Sequence, residues 1–480
     1  MKLKLTLSAL LLGSLPVIAS SPIDASSGST YAKAQRVERG KDRADHPKWG
    51  TTTTTVAPTT TQAPTTTVAP TTTTAPTTTT TVKPTTTTTS TTTTTTTTTT
   101  VPPAPSSREG DVGLALHAKS MFDPWTEPTD DATWATMRAT YEAMVVYSPY
   151  FDQREAKFDG AFAYKDLYAI KVSSSSDTRA ADHPEWILRT AAGDPVYIPF
   201  ACGGSSGCPQ YAADIGNPAF RADFIAGIQE LVDKGYEHLV LDDVNMLRRF
   251  SDRWGTGLWP IDPRTGLEMD LTVWRGLVAD FTEEIRAEFP ALEIMHNVIW
   301  YSDSTHDLST TFRDADVQRQ LGAADYLMLE RGATDGGLTG GDGKYSYASF
   351  VRYIDRMHDL GGNVLLLDET ATTEAQQMYN LATALLVNDG GDLVSTEDPT
   401  MIVPDSLWSG FELDLGDALG DYRRSGAIFR RDFTDGIVVV HEPRGVTETV
   451  QLGATFRTLD GRLVNQLTLG PREAVVLLRP

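Results

Sequence analysis

Gly235-Tyr-Glu-His-Leu-Val-Leu-Asp-Asp-Val-Asn245 decides the fold class. A glycine closes a helix, a short apolar run follows, and two aspartates and an asparagine end it. A strand with so little polar alternation is covered on both faces, as in a parallel sheet flanked by helices. The flanks agree. Upstream, Asn217-Pro218 reads as an N-cap followed by proline at the first helical position. Phe224, Ile225, Ile228, Leu231 and Val232 then share one helical face. Downstream, Leu277, Val278, Phe281, Ile285 and Phe289 form a second stripe, stopped by Pro290. Helix, covered strand and helix make one unit of an α/β fold.

The unit repeats. Candidate strands fall at Val112–His117, Ala143–Ser148, Leu167–Val172, His238–Asp242, Leu292–Asn297, Asp325–Glu330, Asn363–Asp368 and Asp392–Ser395. Eight is the number a closed (β/α)8 TIM barrel needs, and the expected barrel spans residues 108–405. Beyond it the pattern changes to short strands and hairpin turns: Ala427–Arg431, Gly436–His441, Glu448–Leu452, Ala454–Thr458, Arg462–Thr468 and Ala474–Leu478. Asp435-Gly436 and Asp460-Gly461 are turn signals. Residues 406–480 are therefore expected to form a small antiparallel β-sandwich domain.

The N-terminal side reads as export machinery. Lys2 and Lys4 precede an apolar run from Leu5 to Ala19, with Val17 and Ala19 at signal-peptidase spacing, so cleavage after Ala19 is expected. No segment is long enough to span a membrane. Residues 20–50 are polar and aperiodic. Residues 51–107 are a Thr/Pro-rich tract with nothing to bury, expected to stay extended, solvated and O-glycosylated. These features predict a secreted protein, spaced by its linker from a cell envelope.

The chain has 480 residues and a formal net charge of −22. That acidity disfavours nucleic acid and other polyanions as partners; oligomeric state is not legible. Cys202 and Cys208 are its two cysteines. In an oxidising compartment they predict a disulfide across a glycine-rich loop. No phosphate-binding loop, nucleophile elbow or metal-ligand pair occurs, so neither cofactor nor metal is expected.

In a barrel of this kind the C-terminal strand ends face the active site. Here they carry His117, Tyr147, Asp242, Asp243, Asn245, His296, Asn297, Glu330, Arg331, Asp368 and Glu369. So many polar ends on apolar strands point to a site. Glycosidic cleavage needs two carboxyl groups flanking the scissile bond. Asp242 (nucleophile or base) and Glu330 (acid, or acid/base) supply one from each of two strands. A one-residue slip would exchange Asp242 and Asp243; otherwise Asp243 is a hydrogen-bonding support. Arg331 makes a structural ion pair with Glu330 the competing reading.

His117, Tyr147, Asn245 and Asn297 are placed toward sugar hydroxyls. Asp214 reaches the sugar or anchors its loop. His296 binds sugar or is a satisfied core histidine. Asp368, with Glu369, binds sugar, replaces Glu330 as the acid, or caps a loop. Trp125, Trp254, Trp259 and Trp300 lie in rim loops, whereas Trp134 and Trp274 fall within helical stripes.

Tyr211–Pro218, Gly235–Asn245 and Leu329-Glu330 resemble the bacterial proteins grouped as hypothetical glycosyl hydrolase family 15, over most of Asp111–Pro480. The resemblance implies a TIM-barrel glycosidase distantly similar to amylase- and α-galactosidase-type enzymes. It also implies that Asp242, ending the fourth strand, is the nucleophile. Glu330 carries over less directly, and Tyr236-Glu-His stands where Phe-Asp-Gly is more usual. The competing class is a catalytically inactive barrel that binds glycan on the cell envelope. Carboxyl separation at the mouth discriminates the two.

Overall fold

The computed structural model describes residues 109–117, 130–152, 155–174, 177–203, 206–300, 314–368, 371, 373–395 and 408–480. The leader at 1–19, segment 20–50, the tract 51–107, Trp125 and Glu369 lie outside the described residues.

Eight parallel strands close into a barrel. They are β1 (Gly113–Leu116), β2 (Ala143–Val146), β3 (Ala161–Asp166), β6 (His238–Asp242), β7 (Glu293–Asn297), β8 (Tyr326–Glu330), β9 (Asn363–Leu367) and β10 (Leu393–Ser395). β1 pairs with both β2 and β10, which closes the ring. Between β3 and β6 in sequence, β4 (Ala169–Lys171) and β5 (Gln210–Ala212) form an antiparallel pair outside the barrel.

That pair corrects one expectation. The third barrel strand is Ala161–Asp166, and the run expected there, Leu167–Val172, instead contributes β4. Asp166 makes the break: its Oδ1 accepts from the backbone N–H of Tyr168 (3.1 Å) and Ala169 (2.8 Å), turning the chain out of the barrel.

Among the described residues, six helices of eight residues or more accompany the strands: α1 (Asp131–Thr140), α2 (Pro218–Asp233), α3 (Leu271–Glu288), α4 (Ala315–Gly322), α5 (Tyr347–Asp359) and α6 (Glu374–Val387). α2 starts as its sequence dictates. Asn217 Oδ1 accepts from Ala219 N–H at 2.9 Å, with Pro218 at the first position. It ends before Gly235, whose φ of 105° suits a residue without Cβ. Phe224, Ile228 and Leu231 of α2, with Val278, Phe281 and Ile285 of α3, are buried against the barrel wall. Trp134 and Trp274 are buried in the same layer.

Strand side chains alternate. Ala115, Val145, Phe162, Val240, Met295, Met328, Leu365 and Leu393 fill the barrel interior, while their sequence neighbours pack under the helices. This parity decides which terminal residues look into the mouth.

The C-terminal region forms one six-stranded antiparallel sheet, in the order β11-β12-β13-β16-β14-β15. Its strands are β11 (Arg423–Ser425), β12 (Ile428–Asp432), β13 (Gly436–His441), β14 (Glu448–Arg457), β15 (Leu463–Leu469) and β16 (Ala474–Leu478). The two short strands expected either side of Gly453 are one strand with a register shift between Gln451 and Phe456. Phe429, Val438, Val440 and Val476 join the barrel's own core, and Ile437, Val439, Leu452, Phe456 and Leu477 make a second core on the sheet. Cys202 and Cys208 are disulfide-bonded. Among the described residues no helix is long and apolar enough to cross a membrane.

Candidate active site

Counting inward positions up each strand brings seven polar ends to the mouth: His117, Tyr147, Tyr164 with Asp166, Asp242, Asn297, Glu330 and Ser395. The central contact is made by Asn297. Its Nδ2 donates to Asp242 Oδ1 at 2.7 Å and to Glu330 Oε1 at 2.9 Å. An amide nitrogen carries two protons and a carboxylate accepts, so the two acceptors fix which way the amide faces. The two bonds hold those oxygens no farther apart than the sum of their lengths, about 5.6 Å, which is below the ~6.5–9.5 Å that leaves room for an intervening water.

Asp242 receives two further bonds. Tyr164 Oη donates to Oδ2 at 2.5 Å, and Asp243 N–H donates to Oδ1 at 2.7 Å. Three donors converging on one carboxyl complement a negative charge. Burial, then the neighbouring charge of Asp242, raises the Tyr164 hydroxyl well above its ordinary value, so it keeps the proton that it donates.

Two more carboxyls stand close by. Asp166 is level with Asp242 across the β3–β6 pairing. Burial and the charges of Asp243 and Asp242 hold it well above the usual carboxylate range, against the pull of its two backbone donors. Asp243 is pushed up to about 7, first by burial and then by Asp242. Its backbone is left-handed at φ 56°, one residue past the end of β6. It accepts from Asn245 Nδ2 at 2.8 Å. Both shifts favour the protonated form of these two carboxyls, beside the one carboxyl that three donors serve.

The remaining expected residues divide by parity and partner. Asn245 is buried, and its Oδ1 accepts from Ile299 N–H at 3.1 Å, tying the loops after β6 and β7. His296 lies on the outer side of β7 and corrects the sugar-binding reading. It is fully buried, its Nδ1 is 2.9 Å from Gln320 Nε2, and burial with nearby Arg286 depresses it to about 3, so it is a neutral core residue.

Asp214 is a loop anchor. It is buried, with Oδ1 2.8 Å from Arg264 Nη1. Asp368 also falls on the outer parity and accepts from Thr334 N–H at 3.0 Å and from the Thr334 hydroxyl, which is the loop-capping alternative. Trp300 is buried edge-on against Phe350, with centroids 5.4 Å apart, and offers no open face. His117 is buried at the end of β1. Tyr147 stays on the rim, 6.4 Å from Tyr164 between ring centroids. Arg331, in left-handed backbone at φ 70°, lies 4.0 Å from Asp335.

Sequence reasoning missed Tyr164 and Asp166 because it placed the third strand six residues late. The signal was present in Ala161-Phe-Ala-Tyr-Lys-Asp166, whose alternate members Phe162, Tyr164 and Asp166 share the inner face and turn polar toward the mouth.

No family model matches the chain, and no curated protein matches it. Solved structures overlap it loosely. The glycoside hydrolase domain of PelA from Pseudomonas aeruginosa is 15% identical, with 62% of this chain and 99% of that chain covered at a TM-score of 0.37. Trehalose-6-phosphate hydrolase from Bacillus licheniformis is 11% identical, with 77% and 99% covered at 0.44. Cyclic alpha-maltosyl-(1-->6)-maltose hydrolase from Arthrobacter globiformis is 14% identical, with 77% and 98% covered at 0.38. Overlaps this loose carry no argument about activity, which rests on the chain's own residues.

Proposed function

We propose that the chain is a retaining glycoside hydrolase, with Asp242 as nucleophile and Glu330 as acid/base. The observation that carries this reading is the single amide of Asn297 bonded to both carboxyls. It supports the short separation that direct attack requires and leaves less room for an intervening water. The same closeness favours catalysis over the inactive glycan-binding barrel.

In the first step an Asp242 oxygen attacks the anomeric carbon while Glu330 gives its proton to the departing glycosidic oxygen. The C–O bond breaks and a glycosyl ester forms on Asp242. In the second, Glu330, now a carboxylate, takes a proton from water. The water oxygen replaces Asp242 at the anomeric carbon, and both residues return to their starting state. Tyr164 and Asn297 orient Asp242 throughout.

Export belongs to the same reading: the leader would be removed after Ala19 and the barrel released on its linker. N-terminal sequencing of secreted protein should then begin at Ser20.

The test is reducing-sugar release from α- and β-glucans, galactans and arabinans by wild type, Asp242→Asn and Glu330→Gln. Both variants should lose release while keeping the wild-type unfolding midpoint, and NMR of the first product should show the substrate's anomeric configuration. Inverted product would remove the retaining mechanism. No release from any glycan, with glycan binding intact, would favour the inactive barrel.

A further inference from the structure

Three tyrosines run from the candidate nucleophile to the open rim. Tyr164 donates to Asp242. Tyr147, one residue past β2, packs on it edge-on with centroids 6.4 Å apart. Tyr150, in the helical turn Ser148–Phe151, follows at 5.7 Å from Tyr147 and is 49% exposed. Lys171 of β4 closes the row from the other side, its Nζ 3.5 Å from Tyr147 Oη and 5.8 Å from the ring centre.

The sequence builds this row in two places. Tyr147 and Tyr164 occupy inward positions at the ends of adjacent strands. The turn starting at Ser148-Pro149 then brings Tyr150 beside Tyr147, with Tyr150 N–H donating to Tyr147 carbonyl oxygen at 2.9 Å. Each tyrosine joins an apolar ring face to a polar hydroxyl, the combination that matches a sugar's C–H face and its hydroxyls.

We infer that Tyr147 and Tyr150, with Lys171 holding the Tyr147 ring, form a subsite for the sugar unit next to the one cleaved. The ligand is then a glycan chain of at least two pyranose units. Its C–H faces lie on the rings, and its hydroxyls reach Tyr147 Oη and Lys171 Nζ. The inference rests on Asp242 being the nucleophile, because that end of the row fixes where the cleaved bond sits. It also goes further, because it makes chain length a determinant of binding.

The test uses the full-length chain carrying Asp242→Asn, so that sugars bind without turnover. Glucose, galactose and xylose are titrated calorimetrically beside maltotriose, cellotriose, β-1,4-galactotriose and xylotriose. At least one trisaccharide should bind about tenfold or more tighter than its monosaccharide, and Tyr150→Ala should remove that gain. Tyr150→Phe keeps the ring and should restore it, a rescue that a mere folding defect would not show. Lys171→Met should weaken the trisaccharide and spare the monosaccharide.

Equal affinity for mono- and trisaccharides, a gain that survives Tyr150→Ala, or no binding in the whole panel would each overturn the subsite. Hydrolysis of the same trisaccharides by wild type is measured in parallel. Chain-length-dependent binding without hydrolysis would sink the hydrolase reading and with it the subsite's place beside a cleaved unit, leaving the tyrosine row as a glycan-binding surface.

Discussion

Asp243 is held where a carboxylate is uncomfortable: buried, in left-handed backbone, and next to Asp242. Its native value of about 7 lies above the ordinary 3.8, so the native state keeps a proton that the unfolded chain gives up. Its contribution to stability is full below about pH 4 and is lost as pH rises through 7. Asparagine keeps the acceptor for Asn245, tolerates the backbone and has no proton to lose. Asp243→Asn should therefore gain stability relative to wild type between pH 4.5 and 8, read by urea unfolding at both. A difference that does not change with pH would reject this account.

Tyr164 provides the complementary test on activity. Tyr164→Phe removes one donor to Asp242 and leaves the ring in place. A charge-assisted bond of this kind is worth ~1.5–3 kcal/mol, so kcat should fall about 10- to 100-fold on any glycan that wild type cleaves. An unchanged kcat would mean that Asp242 is not the group being oriented. At this scale the sequence was legible where strand parity pointed inward, at Asp242, Asn297 and Glu330. It was ambiguous where adjacent polar residues pointed to opposite faces. His296 precedes Asn297 on a strand whose ends read alike, and the contacts of the two side chains, His296 with Gln320 on α4 and Asn297 with Asp242 and Glu330, show which of them faces the helices.

At the scale of elements, apolar runs and helix stops located seven of the eight barrel strands. The third failed for a physical reason. Leu167-Tyr168-Ala169-Ile170 is an unbroken buried run and reads as the covered strand, yet its burial comes from the hairpin insertion packed on the barrel. The true strand ends in Tyr164 and Asp166, polar because they face the mouth, with Lys165 between them on the helix side, its Nζ 4.8 Å from the Phe224 ring centre.

The insertion is fastened by Arg264, whose two terminal nitrogens lie 2.8 Å from Asp214 and 2.7 Å from Asp262, both buried. This fork joins the loop after β6 to the start of α2. Arg264→Ala leaves two buried carboxylates without their cation and should cost about 1–3 kcal/mol in urea unfolding. Arg264→Lys should recover only part, since an ammonium cannot reproduce the fork. Full recovery by lysine would mean that charge alone, and not geometry, fastens the loop.

For the whole molecule, the C-terminal sheet grips the barrel at both ends. At the strand N-terminal end, Arg431 donates to the carbonyl oxygens of Asn388 (2.6 Å) and Leu385 (3.3 Å) and to Glu109 (3.0 Å). At the mouth, Arg472 donates to the carbonyls of Thr334 (3.2 Å), Asp335 (2.7 Å) and Leu338 (3.2 Å), in the loop that follows Glu330. Gly341 N–H adds a bond to Glu442 at 2.9 Å, and Arg424 pairs with both Asp342 and Glu442. The glycine-rich loop after β8 is thus strapped to the sheet. The candidate acid ends the strand that this loop continues, so freeing the loop should blur its position, and small displacements are costly in catalysis. Arg472→Ala should lower kcat/KM about tenfold at a temperature well below the unfolding midpoint, while lost bonds to three partly buried carbonyls lower stability by about 1–3 kcal/mol. Arg472→Lys, which reaches fewer carbonyls, should fall between. If kcat/KM is unchanged and only the midpoint drops, the sheet is a stabilising buttress; if both fall together, it also sets the geometry of the mouth.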